Sequence, residues 1–196
     1  MPLYIKRLKF LFNRNLHFIV MGIFILCAAC NQMSEHIIDD TAGLNGGFEV
    51  AKNGLPVNWL IYSPNTVPEA EFKILLDTLI FKEGRQSLKI EVESCLSAGG
   101  WKSPGLSRQL DVEKGSVYML SFWVKSSEAE FIVRAGGVSA MSGDMKKLVH
   151  SNEDYDEWTF FEYSIPISDE FSELRMEVNI LKPGIFWIDE IKIEKE

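Results

Sequence analysis

The chain has 196 residues, of which 46% are hydrophobic and 12% aromatic, and its formal net charge at pH 7 is −8. This acidic balance argues against binding to nucleic acid or to anionic lipid headgroups, because both require clustered lysine and arginine. The chain has three histidines, at positions 17, 36 and 150, which gives little support to a Ser/His/Asp arrangement or a histidine metal centre.

The first thirty residues predict a secretory signal. A basic start without acidic residues precedes an apolar stretch over residues 16–26, which has signal-peptide length and is short for a transmembrane helix. Two alanines then precede Cys30, and this ending resembles the bacterial lipobox, in which a peptidase cuts before a lipid-bearing cysteine. The resemblance implies a signal peptide over residues 1–29, lipidation of Cys30 and a lipid-anchored position at the outer membrane or cell surface. The alternative is a plain signal peptide cleaved near Ala29.

Residues 30–42 are polar and lack periodicity, which predicts a short flexible tether between the lipidated cysteine and a folded domain. Beyond the tether the only cysteine is Cys95, so the domain has no intramolecular disulfide and its stability must come from a hydrophobic core. We expect Cys95 to be a buried small hydrophobic residue.

Residues 43–196 read as strands, because short runs rich in Val, Ile, Phe, Tyr and Trp are bounded by turn-forming residues. Alternation of apolar side chains is clearest over residues 118–125 and 174–180. The other predicted strands cover residues 72–81, 87–93, 130–135, 158–165 and 185–194. The spacing of these runs predicts an all-β domain with two antiparallel sheets packed as a β-sandwich.

Five motifs follow one another along this domain. They are Asn-Gly-Gly-Phe-Glu at 45–49, Gly-Leu-Pro-Val-Asn-Trp at 54–59, Gly-Arg-Gln-Ser-Leu-Lys at 84–89, Gly-Ser-Val-Tyr-Met-Leu-Ser-Phe-Trp at 115–123 and Trp-Ile-Asp-Glu-Ile at 187–191. In this order they resemble the galactose-binding-like jelly roll, specifically carbohydrate-binding modules of families four, nine and twenty-two. The resemblance covers nearly the whole domain and implies a jelly-roll fold that binds a polysaccharide or oligosaccharide. It specifies the fold better than the ligand.

The same resemblance implies a structural calcium ion between the first and last strands. Glu49 and Asp189 would each supply a carboxylate, with backbone carbonyls around residues 84–87 completing the shell. Calcium takes six to eight oxygen ligands, and carboxylates brought together from distant parts of a chain favour a cation between them. The alternative is that both carboxylates are solvated or capped by backbone N–H groups.

A sugar site needs flat aromatic faces and polar planar side chains. Most aromatic residues are assigned to the core; these are Phe48, Trp59, Tyr118, Phe122 and Trp158. Trp123 alternates with inward-facing neighbours and therefore faces outward, where it is either a binding platform or is covered by a loop. Trp101 lies in a glycine-containing loop, and Arg175, Glu177 and Asn179 form an outward polar row. We predict that the groove is lined by Trp123, Trp101, Arg175 and Asn179.

The expected function is therefore that of a non-catalytic glycan-binding module on a cell-envelope lipoprotein. One alternative is a protein-interaction or assembly subunit of the envelope that uses the same jelly roll without a sugar ligand. A small glycan hydrolase ranks last, because the acidic residues at 153–157 read as a solvated loop and not as a catalytic carboxylate pair.

Overall fold

The computed structural model describes residues 36–196, and within this range the regular structure consists of twelve strands and two short 3-10 helices. The strands are β1 Ala51–Lys52, β2 Leu55–Pro56, β3 Leu60–Tyr62, β4 Glu71–Asp77, β5 Ser87–Ser94, β6 Gly105–Asp111, β7 Val117–Ser127, β8 Phe131–Val138, β9 Lys146–Ser151, β10 Tyr155–Pro166, β11 Glu173–Ile180 and β12 Gly184–Lys195. The 3-10 helices are Asp40–Ala42 and Gly100–Lys102. Among residues 36–196, no helix is both long and apolar enough to cross a membrane.

Two five-stranded antiparallel sheets form the body of the domain. The front sheet has the strand order β3-β6-β11-β8-β9, and the back sheet has the order β10-β7-β12-β5-β4. A separate two-stranded ladder pairs β1 with β2. The predicted all-β sandwich is thus confirmed.

Alternation along the strands places the core between the two sheets. Leu120, Phe122 and Val124 of β7 are fully buried, as are Leu174 and Met176 of β11. Because side chains on a strand point alternately to opposite faces, the residues between these positions lie on the outer faces of the sheets. The two outer faces are therefore where binding side chains can lie.

The aromatic residues assigned to the core are buried with one exception. Phe48, Trp59 and Phe122 are completely buried, and Tyr118 is nearly so. Trp158 is only half-buried, and the register of β10 against β7 shifts between Tyr155 and Thr159, which breaks the alternation on which the assignment depended.

The strand predicted over residues 72–81 is shorter in the structure, where β4 ends at Asp77. The Asp77 carboxylate ends the strand by accepting hydrogen bonds from the N–H groups of Leu79 (2.9 Å) and Ile80 (3.1 Å). This is the turn that an aspartate side chain favours when it bonds to backbone two or three residues ahead.

Part of the predicted tether is folded onto the domain. Asn58 donates its backbone N–H to the Ile37 carbonyl (2.7 Å). Its side-chain oxygen accepts from Asp39 N (2.8 Å), and its amide nitrogen donates to the carbonyls of Asp39 (2.7 Å) and Gly43 (2.9 Å). The chain is therefore held against the sandwich from Ile37 onward. Cys30 and the predicted signal peptide lie outside the described residues.

Candidate functional site

A groove of about 390 Å³ lies on the outer face of the front sheet. It is lined by His36, Leu60, Tyr62, Trp101, Ser107, Gln109 and Arg175. Leu60 and Tyr62 face outward because they alternate with the buried Trp59 and Ile61 on β3. The floor of the groove therefore comes from β3, β6 and β11, and Trp101 adds a wall from a loop.

Trp101 stands at the rim of the groove on the short helix Gly100–Lys102. Its side chain is 69% exposed, and the Lys102 ammonium lies 5.5 Å from its ring centroid. The same ring lines a second cleft of about 410 Å³, together with Thr66, Val67, Pro68, Glu69, Leu96, Ala98 and Lys102. The indole is thus an accessible flat surface shared by two concavities.

Asn179 holds the loop that carries Trp101. Its side-chain oxygen accepts a hydrogen bond from Gly100 N (2.8 Å), and its amide nitrogen donates to Gly100 O (2.9 Å). Asn179 is only 1% exposed, so its amide serves the protein and does not face the groove. The prediction that Asn179 lines the groove is therefore wrong, and Asn179 is a positioning residue.

The loop needs glycine beside this anchor. Gly99 and Gly100 have φ angles of 69° and 62°, in the left-handed region that glycine adopts without strain. A Cβ atom on Gly99 would lie 3.1 Å from Nη1 of Arg134. The turn at Gly99 thus lets the Trp101 loop and the Arg134 guanidinium approach each other closely.

Polar side chains on the outer face at the groove form two separate hydrogen-bonded sets. Arg175 donates from Nε (3.0 Å) and Nη2 (2.6 Å) to Oε1 of Gln109, whose amide nitrogen donates to Glu173 (2.8 Å). Tyr62 donates its hydroxyl to Oε1 of Glu177 (3.1 Å). Burial, reinforced by the nearby Glu177 carboxylate, raises the pKa of Tyr62 to about 12, so the phenol is protonated at any physiological pH.

Trp123 lies on the back sheet, so the four predicted residues do not line one groove. It pairs with Phe160 of β10, with ring centroids 5.0 Å apart, and the Lys82 ammonium lies 3.9 Å from its ring centroid. Trp123 is half-buried by these neighbours, which matches the alternative that a loop covers it. Of the four residues, Trp101 and Arg175 line the groove on the front sheet.

Glu49 and Asp189 bind the same loop, over residues 82–86. Glu49 accepts hydrogen bonds from the N–H groups of Arg85 (2.8 Å) and Gln86 (3.2 Å) and from the Arg85 guanidinium (3.0 Å). The buried Asp189 accepts from Lys82 N (2.8 Å), Glu83 N (3.3 Å) and Glu190 N (2.8 Å). The first and last motifs therefore meet, and Ile191 N also donates to Gly46 O (3.0 Å).

The two carboxylates differ in their electrostatics. Burial raises the pKa of Asp189 to about 6 even though three N–H groups favour its ionised form. Burial also opposes ionisation of Glu49, but the hydrogen bonds from Arg85 and Gln86 outweigh it and hold the pKa of Glu49 below its ordinary value. Asp189 is thus the carboxylate whose charge is less well compensated.

Three observations bear on calcium at this junction. A Cβ atom on Gly47 would lie 2.8 Å from a Glu190 carboxylate oxygen and 3.9 Å from one of Asp189, so two oxygens of the kind that binds Ca²⁺ lie near this glycine. The loop, however, presents N–H groups and not carbonyls to Glu49 and Asp189. Within residues 36–196, no three or more His, Cys, Asp or Glu side chains are placed to hold a metal ion. This arrangement resembles the capped alternative, and calcium stays a prediction.

The sequence analysis missed several residues of the groove, notably Tyr62 and Gln109. The signal for Tyr62 was present, because an inward Trp59 places Leu60 and Tyr62 on the opposite face of a short strand. Gln109 follows in the same way from the buried Leu106 on β6. His36 was assigned to the tether, and no local pattern connects it to the groove.

No protein-family model matches this chain, and none of the curated proteins matches it in sequence. Solved structures do match. The CBM22-1 xylan-binding domain of Paenibacillus barcinonensis Xyn10C superposes with a TM-score of 0.56 at 15% identity, over 76% of this chain and 91% of that domain. The C-terminal family 22 carbohydrate-binding module of Clostridium thermocellum Xyn10B superposes with a TM-score of 0.55 at 16% identity, over 76% of this chain and 91% of that module. A family 4 module superposes with a TM-score of 0.54 at 12% identity, over 78% of this chain and 98% of that module.

The chain has a jelly-roll β-sandwich similar to that of these modules. At these identities the likeness shows the jelly-roll sandwich alone, because one such scaffold carries many binding preferences. The ligand has to be argued from the groove of this chain.

Proposed function

We propose that this protein binds a polysaccharide or oligosaccharide, without cleaving it, in the groove on the front sheet. The observation that carries the proposal is the exposed Trp101 ring, held at the rim of a groove whose floor presents Arg175 and Gln109. A pyranose offers an apolar C–H face to such a ring, and its hydroxyls pair with planar polar groups. Tyr62, on the same floor, adds a phenol fixed in its protonated form.

The contacts of the groove carboxylates support binding without catalysis. Glu177 accepts from the Tyr62 hydroxyl and Glu173 accepts from the Gln109 amide, so both are engaged in structural hydrogen bonds. A glycosidase would need one carboxylic acid and one carboxylate free to face the scissile bond. The similar solved structures include xylan-binding domains, which makes a plant-type polysaccharide the first ligand to test.

We also propose that the domain is anchored in the cell envelope through lipid on Cys30 and that calcium binds between Glu49 and Asp189. The lipobox-like ending at Cys30 supports the first proposal. The carboxylate oxygens around Gly47 support the second.

Affinity gel electrophoresis of the purified protein tests the binding proposal, with calcium in the buffer. The gels contain soluble xylan, mixed-linkage β-glucan or galactan. We expect at least one polymer to slow migration and Trp101→Ala to abolish the effect. The matched control is Phe160→Ala, an aromatic residue of the back sheet that is 46% exposed.

Unchanged migration in every polymer would overturn the proposal. A stable protein partner that co-purifies under the same conditions would then select the assembly alternative. Loss of binding in Phe160→Ala as well as in Trp101→Ala, with both variants folded by circular dichroism, would also contradict the assignment of the groove to the front sheet.

A further inference from the structure

The front sheet carries unpaired positive charge beside the Trp101 loop. Arg134 of β8 lies directly opposite Lys147 of β9, so their side chains share the outer face. On its other side Arg134 faces Glu177 of β11, and Arg175 lies diagonally across the same pair of strands. Three cations therefore lie on adjacent strands in a chain whose overall charge is negative.

Arg134 is the unusual member of this cluster. Arg134 is half-buried and its guanidinium flanks Gly99, yet it forms no ion pair and no side-chain hydrogen bond with any of residues 36–196. Its nearest carboxylate by register, on Glu177, accepts from Tyr62 through Oε1. A guanidinium carries five donors and no acceptor, so those of Arg134 are available to an acceptor on a ligand.

Lys147 and Arg175 strengthen the case. Like charges directly opposite each other on neighbouring strands are destabilising, and Lys147 opposite Arg134 is such a pair. Arg175 uses Nε and Nη2 on the neutral amide of Gln109, so its charge is not compensated there. The carboxylates of Glu173 and Glu177 on this face each accept one hydrogen bond through Oε1, from Gln109 and Tyr62, and neither forms an ion pair with a cation of residues 36–196.

We infer that the ligand of the groove is an anionic glycan, whose acidic group binds at Arg134 and Lys147 while a sugar ring stacks on Trp101. This inference rests on the proposed function and names its substrate class. A carboxylate of a uronic acid or a sulfate ester supplies the same chemistry, because both present paired oxygens to a guanidinium fork. The overall negative charge does not oppose it, since a local cluster determines the field in a groove.

The test compares matched polymers that differ only in the acidic group. Isothermal titration calorimetry at 150 mM salt uses glucuronoxylan and polygalacturonate, each beside its carboxyl-reduced form. A sulfate arm uses chondroitin 4-sulfate beside desulfated chondroitin. We expect the acidic member of at least one pair to bind about tenfold more tightly than its partner, the effect of one charge-assisted hydrogen bond. The pair that responds distinguishes carboxylate from sulfate.

Variants assign this preference to the cluster. Arg134→Gln should bring the two affinities of the pair together without weakening the neutral polymer, and Arg134→Lys should restore part of the difference. Lys147 is exposed, so Lys147→Gln is the second variant to measure if Arg134→Gln does not fold. The charge-matched control is Lys73→Gln, an exposed lysine on β4 of the back sheet.

Each other outcome has a distinct meaning. Equal binding of acidic and neutral members would overturn this inference and leave the proposed function standing. Binding of no member in any pair, nor of the polymers in the affinity gels, would overturn the proposed function itself. A preference that persists in Arg134→Gln and Lys147→Gln but falls in Lys73→Gln would show general ion exchange and would also overturn the inference.

Discussion

Asn179 and Gly100, 79 residues apart in sequence, exchange two hydrogen bonds between strand β11 and the loop that carries Trp101. The amide of Asn179 is buried at this contact and supplies the acceptor for the Gly100 N–H and a second donor to the Gly100 C=O, beside Ser103 N. Removing it should therefore act on stability and on the position of the tryptophan together.

We expect Asn179→Ala to lower the free energy of unfolding by about 2 kcal/mol, because it leaves the Gly100 N–H without a partner and the Gly100 C=O with only the Ser103 N–H (3.2 Å). Urea denaturation measures this change, with Asn65→Ala, an exposed asparagine, as the control. A purely structural loss would leave the loop unaffected in the folded protein. We therefore also expect faster hydrogen exchange at the Gly100 amide and weaker glycan binding, with exchange in β7 unchanged. Unaltered exchange at Gly100 would contradict the positioning role.

We expect the Asp77 carboxyl to make the stability of the protein depend on pH. Burial would raise the pKa of its carboxyl, but hydrogen bonds from the Trp187 indole (2.9 Å), Leu79 N and Ile80 N outweigh it and hold the pKa below its ordinary value of 3.8. A lowered pKa stabilises the folded state above pH 3.8, and this contribution is lost as the pH falls through the folded value. Asp77→Asn should therefore cost about 1–2 kcal/mol at pH 7 and much less near pH 3.

Urea denaturation of Asp77→Asn and the unaltered protein at both pH values checks this expectation. The exposed Asp156→Asn is the control, and it should show little effect at either pH. A cost for Asp77→Asn that stays the same at pH 3 would show that the ionised carboxylate is not the stabilising form.

Calcium should raise the melting temperature of the protein at pH 7.5 relative to the same protein in EDTA. An ion that binds only the folded state stabilises it by about 2.7 kcal/mol at one hundred times its dissociation constant, or several degrees for a domain of this size. Glu49→Gln should remove the increase, and Glu69→Gln, an exposed residue remote in sequence from this junction, should keep it. Identical melting curves with calcium and with EDTA would show that the backbone N–H groups and the Arg85 guanidinium satisfy Glu49 and Asp189 without a metal ion.

Substitution of single cysteines tests lipidation. Cells that express the protein and are fed an alkyne-tagged fatty acid should label it, and Cys30→Ala should lose both the label and its association with the membrane fraction. Cys27→Ala is the matched control and should keep both, because only Cys30 follows the two alanines. A labelled Cys30→Ala variant, or an unlabelled secreted protein with a mature end near Ala29, would favour the plain signal peptide.

Local alternation predicted seven of the twelve strands and most of the core, and the order of motifs predicted the sandwich. The strands it missed are β1, β2, β3, β6 and β9. Alternation also predicted that Trp123 and Arg175 face outward, which is correct. It did not show that their strands belong to different sheets, because strand order is set by long-range pairing such as β7 with β10 and β12. The prediction that Asn179 lines the groove was wrong for a related reason. The loop over residues 97–101, which is distant in sequence, covers Asn179.

The Glu49–Asp189 junction shows the same limit at a finer scale. The resemblance implied that the two carboxylates meet near residues 84–87, and both accept hydrogen bonds from the loop over residues 82–86. Whether that loop turns N–H or C=O groups toward them depends on its backbone angles, for which the glycine at position 84 is the only local sign.

His36 is part of the groove lining and follows Cys30 by six residues in sequence. Six residues span at most roughly 20 Å when fully extended. Lipid on Cys30, as proposed, would therefore keep the mouth of the groove near the bilayer. Such a receptor would capture glycan strands that run along the membrane surface in preference to those farther out.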